Sequence, residues 1–493
     1  MPIPTASKEP MPASEDTLPL LTTEEIEGGA APVEALAESR RKLEGKAITG
    51  TVWTVGFYGV SQGLRMVNSV VLTHMLLPQY FGLMALVSTL LLGVRLLSDI
   101  GLLPGVINSP RGDEPIFLNT AWTISIVRGV VLWFVVMLLS FPAVSFYHDA
   151  RLYGLMPVLG FGLVLDGLVS SNMMTAVRNI GVRRLLVIDF FQQILTIVVT
   201  VAWAYFWPSV WALVVGTLFS SAFKVVVSHI PAILPGIRNS FAWEKEAVHS
   251  LVHFGKWILI GTAFYAIASQ ADRLLLGRLV TFTELGVYSI AFTFSDIPRQ
   301  IIQQFSYRVG LPFISKLAHL PLREFHAQCL KYRFYVLCGG ALILSVVINA
   351  GGPILLHIYD KRYADAGWIV PVLALGLWHT LLYSTTGDIL IALGNSKYNA
   401  VGSASYAVTM FTLIPLGYHF GPMLGGIWPL AAQHGHLLGA VMGVAAGDLP
   451  FYIVLTYGVQ REKVGVWRQD ILATAMFLVL LTAGYFVKHL IVA

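Results

Sequence analysis

The chain has 493 residues, of which 56% are hydrophobic and only 12% are charged, and its formal net charge at pH 7 is +5. Soluble domains carry about 25% charged residues, so this composition excludes an ordinary soluble protein and predicts an all-α polytopic membrane protein. A net charge this small on so long a chain does not indicate nucleic-acid binding.

The first 46 residues differ from the rest of the chain. They are rich in Pro, Ala, Thr and Glu, and they contain no apolar run long enough to form a core. This composition predicts that residues 1–46 form a disordered, acidic cytosolic tail.

Beyond the tail, apolar runs recur at about 20 residues, the length that crosses a bilayer as a helix. Thirteen is the best count within a range of 12 to 14, because glycines and prolines at 421–429 interrupt the approach to the twelfth span. The predicted spans are 48–75, 82–103, 116–140, 152–176, 185–207, 209–231, 254–278, 284–308, 334–358, 367–392, 400–421, 433–457 and 471–492.

The predicted spans divide into two lobes of six. A shift of 204 residues aligns Gly82 with Gly286 and Trp53 with Trp257. Because the shift covers an even number of spans, both lobes should have the same orientation, as in parallel transporter repeats related by a pseudo-two-fold axis. The predicted division is an N-lobe at 47–232, a cytosolic linker at 233–253, a C-lobe at 254–459 and an extra C-terminal helix at 460–493.

The distribution of Lys and Arg among the loops predicts the orientation of the chain in the membrane. With the N-terminus in the cytoplasm, 20 of the 32 Lys and Arg residues fall on inner loops and span ends, and 6 fall on the outer side. This bias predicts a cytoplasmic N-terminus. An odd number of spans then leaves the C-terminus outside.

Charged residues inside the predicted spans are the first candidates for function, because each costs about 2.5 to 3.5 kcal/mol or more in hydrocarbon. Arg65, Arg95 and Arg128 lie in three consecutive spans, and Arg65 shares a helix face with Ser61 and Asn68. Arginine binds phosphate oxygens in a bidentate manner and stays charged at any working pH. We therefore predict a cationic cavity lined by Arg65, Arg95, Arg128 and Asn68.

Three carboxylates at membrane depth, Asp166, Asp272 and Asp296, are candidates for coupling transport to an ion. Asp272 shares a helix face with Tyr265 and Ser269. The eighth span carries a polar stripe that lines a cavity or a helix interface, and Pro298 should kink it. The stripe consists of Ser289, Thr293, Asp296, Gln300 and Gln304, with Gln300 as a further candidate for substrate binding.

The alternative interpretation is that these charges pair locally and only stabilise the fold. Arg95 and Asp99 are spaced i,i+4, and Asp296 and Arg299 are spaced i,i+3. Asp272 is followed directly by Arg273. Arg65 and Arg128 lack a local partner, which makes them the stronger functional candidates.

The sequence contains no pattern for a metal site, a cofactor or a catalytic centre. His434 and His436 lie about 200° apart on a helix, so they do not form a metal pair. There is no nucleophile elbow and no phosphate-binding P-loop. The longest polar linkers, 231–253 and 309–333, are shorter than the roughly 50 residues with which domains begin. We therefore expect no enzyme activity, and a proton or sodium gradient as the energy source.

Several segments resemble one family. The stretch FGKWILIGTAFYAIASQADRLLLGRLVTFTELGVYSIAF at 254–292 resembles the seventh and eighth spans of Wzx-type polysaccharide flippases. These are the polysaccharide transporters of the multidrug/oligosaccharidyl-lipid/polysaccharide superfamily. LLPQYFGLMAL at 76–86, SDIGL at 98–102 and ALGNSKY at 392–398 also resemble that family. The acidic tail and the extra C-terminal span depart from its twelve-span plan.

This resemblance implies a V-shaped transporter in the bacterial inner (plasma) membrane that works by alternating access. It would carry an undecaprenyl-pyrophosphate-linked oligosaccharide to the outer leaflet for the biosynthesis of exopolysaccharide, lipopolysaccharide O-antigen or capsule. The implied partners are the lipid-linked oligosaccharide, membrane lipids and other polysaccharide-assembly proteins.

Two alternatives remain open at the level of the sequence. A cation-coupled drug or metabolite exporter of the same superfamily would have a cavity with more Asp than Arg. A membrane polysaccharide polymerase or ligase would need a large outer loop with catalytic polar residues.

Overall fold

A computed structural model of the protein describes residues 56–57, 59–178, 182–251, 269–306, 310, 314, 317, 320–395, 397–426 and 429–492. The chain divides into two compact units, 1–56 and 57–493, and the elements below belong to the second. Its regular elements are all helical within the described ranges, as predicted. The predicted acidic tail and Tyr265 lie outside these ranges.

The described helices of the N-lobe follow the predicted spans, with a short helix in the linker. They are α1 at 59–75, α2 at Pro78–Leu97, α3 at Leu102–Asn108, α4 at Pro115–Tyr147, α5 at Leu152–Leu168, α6 at Asn172–Arg178, α7 at Val182–Phe206, α8 at Trp211–Ser228 and the linker helix α9 at 245–251.

The C-lobe continues the series and ends in the extra helix. Its elements are α10 at Ala271–Leu279, α11 at Phe282–Ser295, α12 at Ile297–Phe305, α13 at Leu322–Ile358, α14 at Ala366–Ala392, α15 at Lys397–Phe420, α16 at Pro429–Ala446, α17 at Leu449–Arg461 and α18 at Trp467–Val492, with 3-10 turns at Lys361–Tyr363 and Gly421–Gly426.

Nine of the helical segments in the described ranges are long and apolar enough to cross a bilayer, or ten if α5 and α6 are one span bent by 63°. The nine coincide with predicted spans 2, 3, 5, 6 and 9 to 13, and the bent pair coincides with span 4. Span 8 is divided into α11 and α12 just before Pro298, where the sequence predicts a kink. Spans 1 and 7 extend into residues outside the described ranges, and the total of thirteen stays a prediction.

Local sequence sets where several helices begin. Pro78 and Pro115 occupy the first turns of α2 and α4, where the missing N–H removes no helical hydrogen bond. At α11, the Thr281 hydroxyl accepts a hydrogen bond from the Glu284 backbone N–H, while the Glu284 carboxylate accepts one from the Thr281 backbone. This reciprocal capping box fixes the start of the helix that crosses α2.

The two lobes meet where α2 crosses α11. A Cβ atom added at Gly82 would lie 2.0 Å from the carbonyl oxygen of Phe282, and one added at Gly286 would lie 1.9 Å from that of Pro78. Pro78 and Phe282 are related by the same 204-residue shift as the two glycines. A contact that maps onto itself under the shift marks a two-fold axis, so the crossing lies on the pseudo-two-fold axis of the two lobes.

The extra helix α18 packs along α13. Arg333 is fully buried and donates from Nη1 to Asp470 at 2.5 Å, from Nε to Thr385 at 2.9 Å and from Nη2 to the Leu382 carbonyl at 3.0 Å. Farther along both helices, Asn349 Nδ2 donates to the Leu481 carbonyl at 3.2 Å. Residue numbers rise together on both helices, so α18 runs in the same direction as α13.

The crossing predicts that Gly82→Leu is strongly destabilising. The new side chain would meet backbone that cannot yield, and such overpacking costs about 1–3 kcal/mol or more. We expect a clearly lower unfolding temperature for the purified variant. Gly93→Leu on the same helix is the matched control, because a Cβ there has nothing within 4 Å. Equal unfolding temperatures for both variants would contradict the packing described.

The buried ion pair predicts that Asp470→Ala destabilises the protein by about 3–5 kcal/mol, because it leaves the Arg333 charge uncompensated. The double variant Arg333→Met, Asp470→Leu removes both charges and should recover most of this loss. Thermal unfolding in detergent measures the effect. A single variant that unfolds at the wild-type temperature would show that the pair does not hold α18 in place.

Candidate functional site

The N-lobe brings two of the three predicted arginines together. Arg95, near the end of α2, forms an ion pair from Nη1 to Asp166 Oδ2 on α5 at 3.1 Å. Arg128, on α4, donates from Nη2 to the Arg95 carbonyl at 2.8 Å and to the Ser98 hydroxyl at 3.1 Å. We call Arg95, Arg128 and Asp166 the arginine cluster. The predicted local pair is wrong, because Asp99 accepts instead from the backbone N–H of Gly101 at 2.9 Å.

The arginine cluster is only partly satisfied. The Arg95 and Asp166 side chains are 57% and 38% exposed, so their ion pair contributes at most about 1 kcal/mol to stability. Arg128 Nε is buried and donates to no acceptor in the described part of the chain. A buried donor without an acceptor is costly, and an oxyanion between the two guanidinium groups would satisfy it.

The third predicted arginine is not joined to the other two. Arg65 is exposed on α1 and forms no hydrogen bond or ion pair within the described ranges. Asn68, one turn farther along α1, has a buried Oδ1 that accepts no hydrogen bond from the described residues. That Arg65 and Asn68 line the same cavity as the arginine cluster stays a prediction.

The C-lobe places three carboxylates around one small cavity. The cavity volume is about 50 Å³, which holds a few water molecules at roughly 10–15 Å³ each. We call it the carboxylate cavity, and its charged lining consists of Asp272, Asp296, Arg299 and Asp448. Two of these carboxylates are predicted ion-coupling residues. Asp448 was missed because its approach to the others depends on tertiary packing.

Asp272 is the least compensated of the three. Asp272 lies in the first turn of α10 and is only 3% exposed. Its Oδ2 accepts a hydrogen bond from the Tyr288 hydroxyl at 2.7 Å. Its Oδ1 is buried and accepts no hydrogen bond from the described residues. The alternative pairing with Arg273 is wrong, because Arg273 donates to Gln270 Oε1 at 3.1 Å and stacks on Phe292. Asp272 therefore presents one free oxygen beside the carboxylate cavity.

The other two carboxylates are held more firmly. Asp296 forms the predicted pair with Arg299 at 2.5 Å, and Gln300 donates to its second oxygen at 3.0 Å. Gln300 thus contacts an ion-coupling candidate, and no contact joins it to the arginine cluster in the described ranges. Asp448 accepts from the Thr380 hydroxyl at 2.5 Å.

Apart from a hydrogen bond between Thr89 and Gln270 in the middle of α2, the polar contacts between the lobes in the described ranges lie towards one end of the helices, the end predicted to be outer. Arg362 Nη2 donates to the carbonyls of Thr73 and His74 at 3.1 and 3.2 Å, and the Tyr363 hydroxyl donates to the Leu76 carbonyl at 3.3 Å. These carbonyls lie at the C-terminal end of α1, where a positive charge is favourable. A hydrogen bond from Arg362 lowers the pKa of Asp360, so this carboxylate stays ionised and paired with the arginine into more acidic solution than an ordinary aspartate would.

The end of α4 adds contacts between the lobes at the same end of the helices. The Tyr147 hydroxyl, at the end of α4, donates to the Leu274 carbonyl at 3.4 Å, and the Arg151 guanidinium lies 5.9 Å from the Phe282 ring centroid. At the opposite end, the hydrogen bonds and ion pairs of the described helices join elements of one lobe, as Arg178 does with Asp113 and His326 with the Gly465 carbonyl. The lobes are thus closed against each other at the predicted outer end.

The fold defines the class of protein. It matches the lipid II flippase MurJ in an inward closed conformation with a TM-score of 0.65, at 11% identity, over 89% of this chain and 97% of that one. It matches an inward-facing multidrug resistance MATE family transporter of the MOP superfamily with a TM-score of 0.62, at 12% identity, over 81% of this chain and 94% of that one. The protein has the fold of a MOP-superfamily membrane transporter.

Within that class, the model of a family described as polysaccharide biosynthesis protein matches residues 71–346. This is more than half of the chain, so the protein belongs to the polysaccharide biosynthesis protein family, and the predicted resemblance is confirmed.

Its relatives include proteins of bacterial polysaccharide synthesis. The amylovoran biosynthesis protein AmsL of Erwinia amylovora is 22% identical over 290 residues, which are 58% of this chain and 74% of that protein. The succinoglycan biosynthesis transport protein ExoT of Rhizobium meliloti is 22% identical over 337 residues, 68% of this chain and 67% of that protein. The teichuronic acid biosynthesis protein TuaB of Bacillus subtilis is 20% identical over 307 residues, 61% of this chain and 62% of that protein.

Proposed function

We propose that this transporter moves an undecaprenyl-pyrophosphate-linked oligosaccharide from the inner to the outer leaflet of a bacterial inner membrane, with its N-terminus in the cytoplasm. The product would serve the assembly of exopolysaccharide, O-antigen or capsule. The observation that carries the proposal is the closure of two pseudosymmetric lobes at the predicted outer end, in a chain of the polysaccharide biosynthesis protein family.

This closure supports alternating access. The lobes are bonded to each other at the predicted outer end, and among the described helices no hydrogen bond or ion pair joins them at the inner end, which is the arrangement expected of an inward-facing transporter. Rocking about the α2–α11 crossing would close the inner end and open the outer one. The polyprenyl tail can remain in lipid throughout, so only the glycan and pyrophosphate need a polar route.

The arginine cluster is the proposed binding site for the pyrophosphate. Arg95 pairs with Asp166 at 3.1 Å, and a phosphate oxygen would replace this carboxylate and accept a hydrogen bond from Arg128 Nε. The exchange replaces one charge-assisted hydrogen bond by another, so the arginines stay compensated in both states. Arg65 and Asn68 on α1 would contact the same substrate from the neighbouring helix.

The carboxylate cavity is the proposed site of coupling to a proton or sodium gradient. The free Asp272 oxygen beside a cavity that holds a few waters can take up a cation, and Asp296 and Asp448 supply further negative charge. Because the cavity lies inside the C-lobe, occupation there changes the charge balance of one lobe without blocking the substrate route.

Deletion and complementation test the function. A strain that lacks the gene should retain the lipid-linked oligosaccharide on the cytoplasmic leaflet and export no polymer. Wild-type protein should restore export, Arg128→Ala should not, and Arg128→Lys should restore it in part, because lysine keeps the charge and loses the planar fork. Lys224→Ala is the control, a cation of the same lobe that pairs with Asp189 outside the arginine cluster and outside the interface between the lobes.

Membrane levels of each variant must match the wild type for the comparison to hold. Full export by Arg128→Ala would refute the role of the arginine cluster. Normal polymer export after gene deletion, together with a gain in sensitivity to cationic drugs, would refute the flippase and identify a drug exporter instead.

The coupling proposal predicts that Asp272→Asn loses the response to an ion gradient. Asparagine can still accept from Tyr288 but cannot become charged. In proteoliposomes, the variant should transport lipid-linked oligosaccharide at one rate with and without an imposed gradient, whereas the wild type should accelerate. The matched control is Asp388→Asn, a C-lobe carboxylate that is bonded to Ser306 and does not line the carboxylate cavity. A gradient response preserved in Asp272→Asn and lost in the control would contradict the assignment.

A further inference from the structure

A larger cavity lies between the lobes, about two helical turns from the Gly82–Gly286 crossing. Its volume is about 250 Å³, many times the roughly 10–15 Å³ that one water molecule needs. Helix α2 forms one wall, and Gln270, α10 and α11 form the other. We call it the interlobe cavity, and its polar lining consists of Ser88, Thr89, Gln270, Arg273, Ser289 and Thr293.

Arg273 is the one charged residue among the described residues of this lining, and its guanidinium is held in place. It stacks on Phe292 at 4.7 Å from the ring centroid and donates from Nη1 to Gln270 Oε1 at 3.1 Å. The same Gln270 oxygen accepts from the Thr89 hydroxyl of the other lobe at 3.4 Å. Aromatic stacking and a shared amide therefore fix the arginine without neutralising it.

The charge of Arg273 is uncompensated in the described part of the chain. No carboxylate lies within 4.0 Å of it there, because its neighbour Asp272 accepts from Tyr288 instead. Its Nε and Nη2 donate to no acceptor in those ranges. An unpaired cation at membrane depth costs free energy, which binding of an anion would offset. The free edge of a guanidinium matches the two oxygens of a phosphate or carboxylate.

We propose that the interlobe cavity is an oxyanion-binding station, with Arg273 as its charged group and the hydroxyls of Thr89 and Ser289 beside it. It is separate from the arginine cluster, since Arg95 lies six residues beyond Thr89 on α2, about 9 Å along the helix. Only the identity of the molecule that carries the oxyanion depends on the proposed function; the binding site itself does not. This oxyanion is either the pyrophosphate of the lipid carrier or a carboxylate of an acidic sugar in the glycan.

The position of the station makes its affinity depend on the state of the transporter. Thr89 belongs to one lobe and Gln270 and Arg273 to the other, so opening the outer end pulls the walls apart and breaks the bond between Thr89 and Gln270. A ligand can shift a conformational equilibrium only through different affinities for the two states. The oxyanion is therefore held while the outer end is closed and released as it opens.

Binding to the full-length protein in phosphatidylcholine nanodiscs tests the proposal. The probes are two undecaprenyl-pyrophosphate-linked oligosaccharides that differ only in one uronic acid. Arg273→Gln should weaken binding about tenfold or more, as expected for the loss of a charge-assisted bidentate contact, and Arg273→Lys should weaken it less. Loss for both probes identifies the pyrophosphate as the ligand, and loss for the acidic probe alone identifies the sugar carboxylate.

Arg278→Gln is the matched control, an exposed arginine on the same helix that stacks on Phe146. If Arg273→Gln does not fold, the affinity of Arg273→Lys for the two probes is the test, because lysine keeps the charge but cannot form the bidentate contact. Wild-type affinity for both probes in every folded Arg273 variant overturns the station. A wild type that binds neither probe refutes the proposed function instead. In that case, binding of inorganic pyrophosphate and of glucuronate tests whether Arg273 binds an oxyanion. Binding of either anion that is lost in Arg273→Gln supports the oxyanion-binding station, and no Arg273-dependent binding of either anion overturns it.

Discussion

The close crossing of α2 and α11 determines how the two lobes pack against each other. Two glycines let the backbones of the two lobes touch, with each glycine packed against the start of the opposite helix. This contact sets the pseudo-two-fold axis. It also brings the ends of α4 and α13 against the opposite lobe, so that Tyr147 reaches Leu274 and Tyr359 reaches Ser69. The interlobe cavity follows directly, since it is the space that opens where the two helices diverge.

How completely a buried charge is satisfied separates structural from functional residues in this protein. Arg333 has an acceptor for each of its three nitrogens and is fully buried, which is the arrangement expected of a charge that fastens one helix to its neighbours. Arg128, Arg273 and Asp272 are different, because each keeps at least one polar atom without a partner in the described ranges. An incompletely satisfied charge destabilises the resting protein and is available to a ligand.

The sequence was sufficient for features that depend on short-range pattern or on repetition. The apolar runs predicted the helices, Pro298 predicted the break between α11 and α12, and the shift that aligns Gly82 with Gly286 predicted the lobe repeat. Pairing between side chains was predicted correctly only where the partners are close in sequence, as Asp296 and Arg299 are. Arg95 pairs with Asp166, 71 positions away, and Arg333 with Asp470, 137 positions away. Such partners are chosen by helix packing, which no local spacing encodes.

If the two lobes rock about the α2–α11 crossing, the distances between spin labels at the two ends of the molecule should change in opposite directions. One pair is placed at Ala150 and Lys361 on the predicted outer end and another at Arg184 and Lys397 on the predicted inner end, all exposed, with Cys329 and Cys338 replaced by alanine. In liposomes, adding lipid-linked oligosaccharide and a gradient should lengthen the outer distance and shorten the inner one within the same sample. Distances that stay fixed, or that change in the same direction at both ends while transport proceeds, would contradict the account.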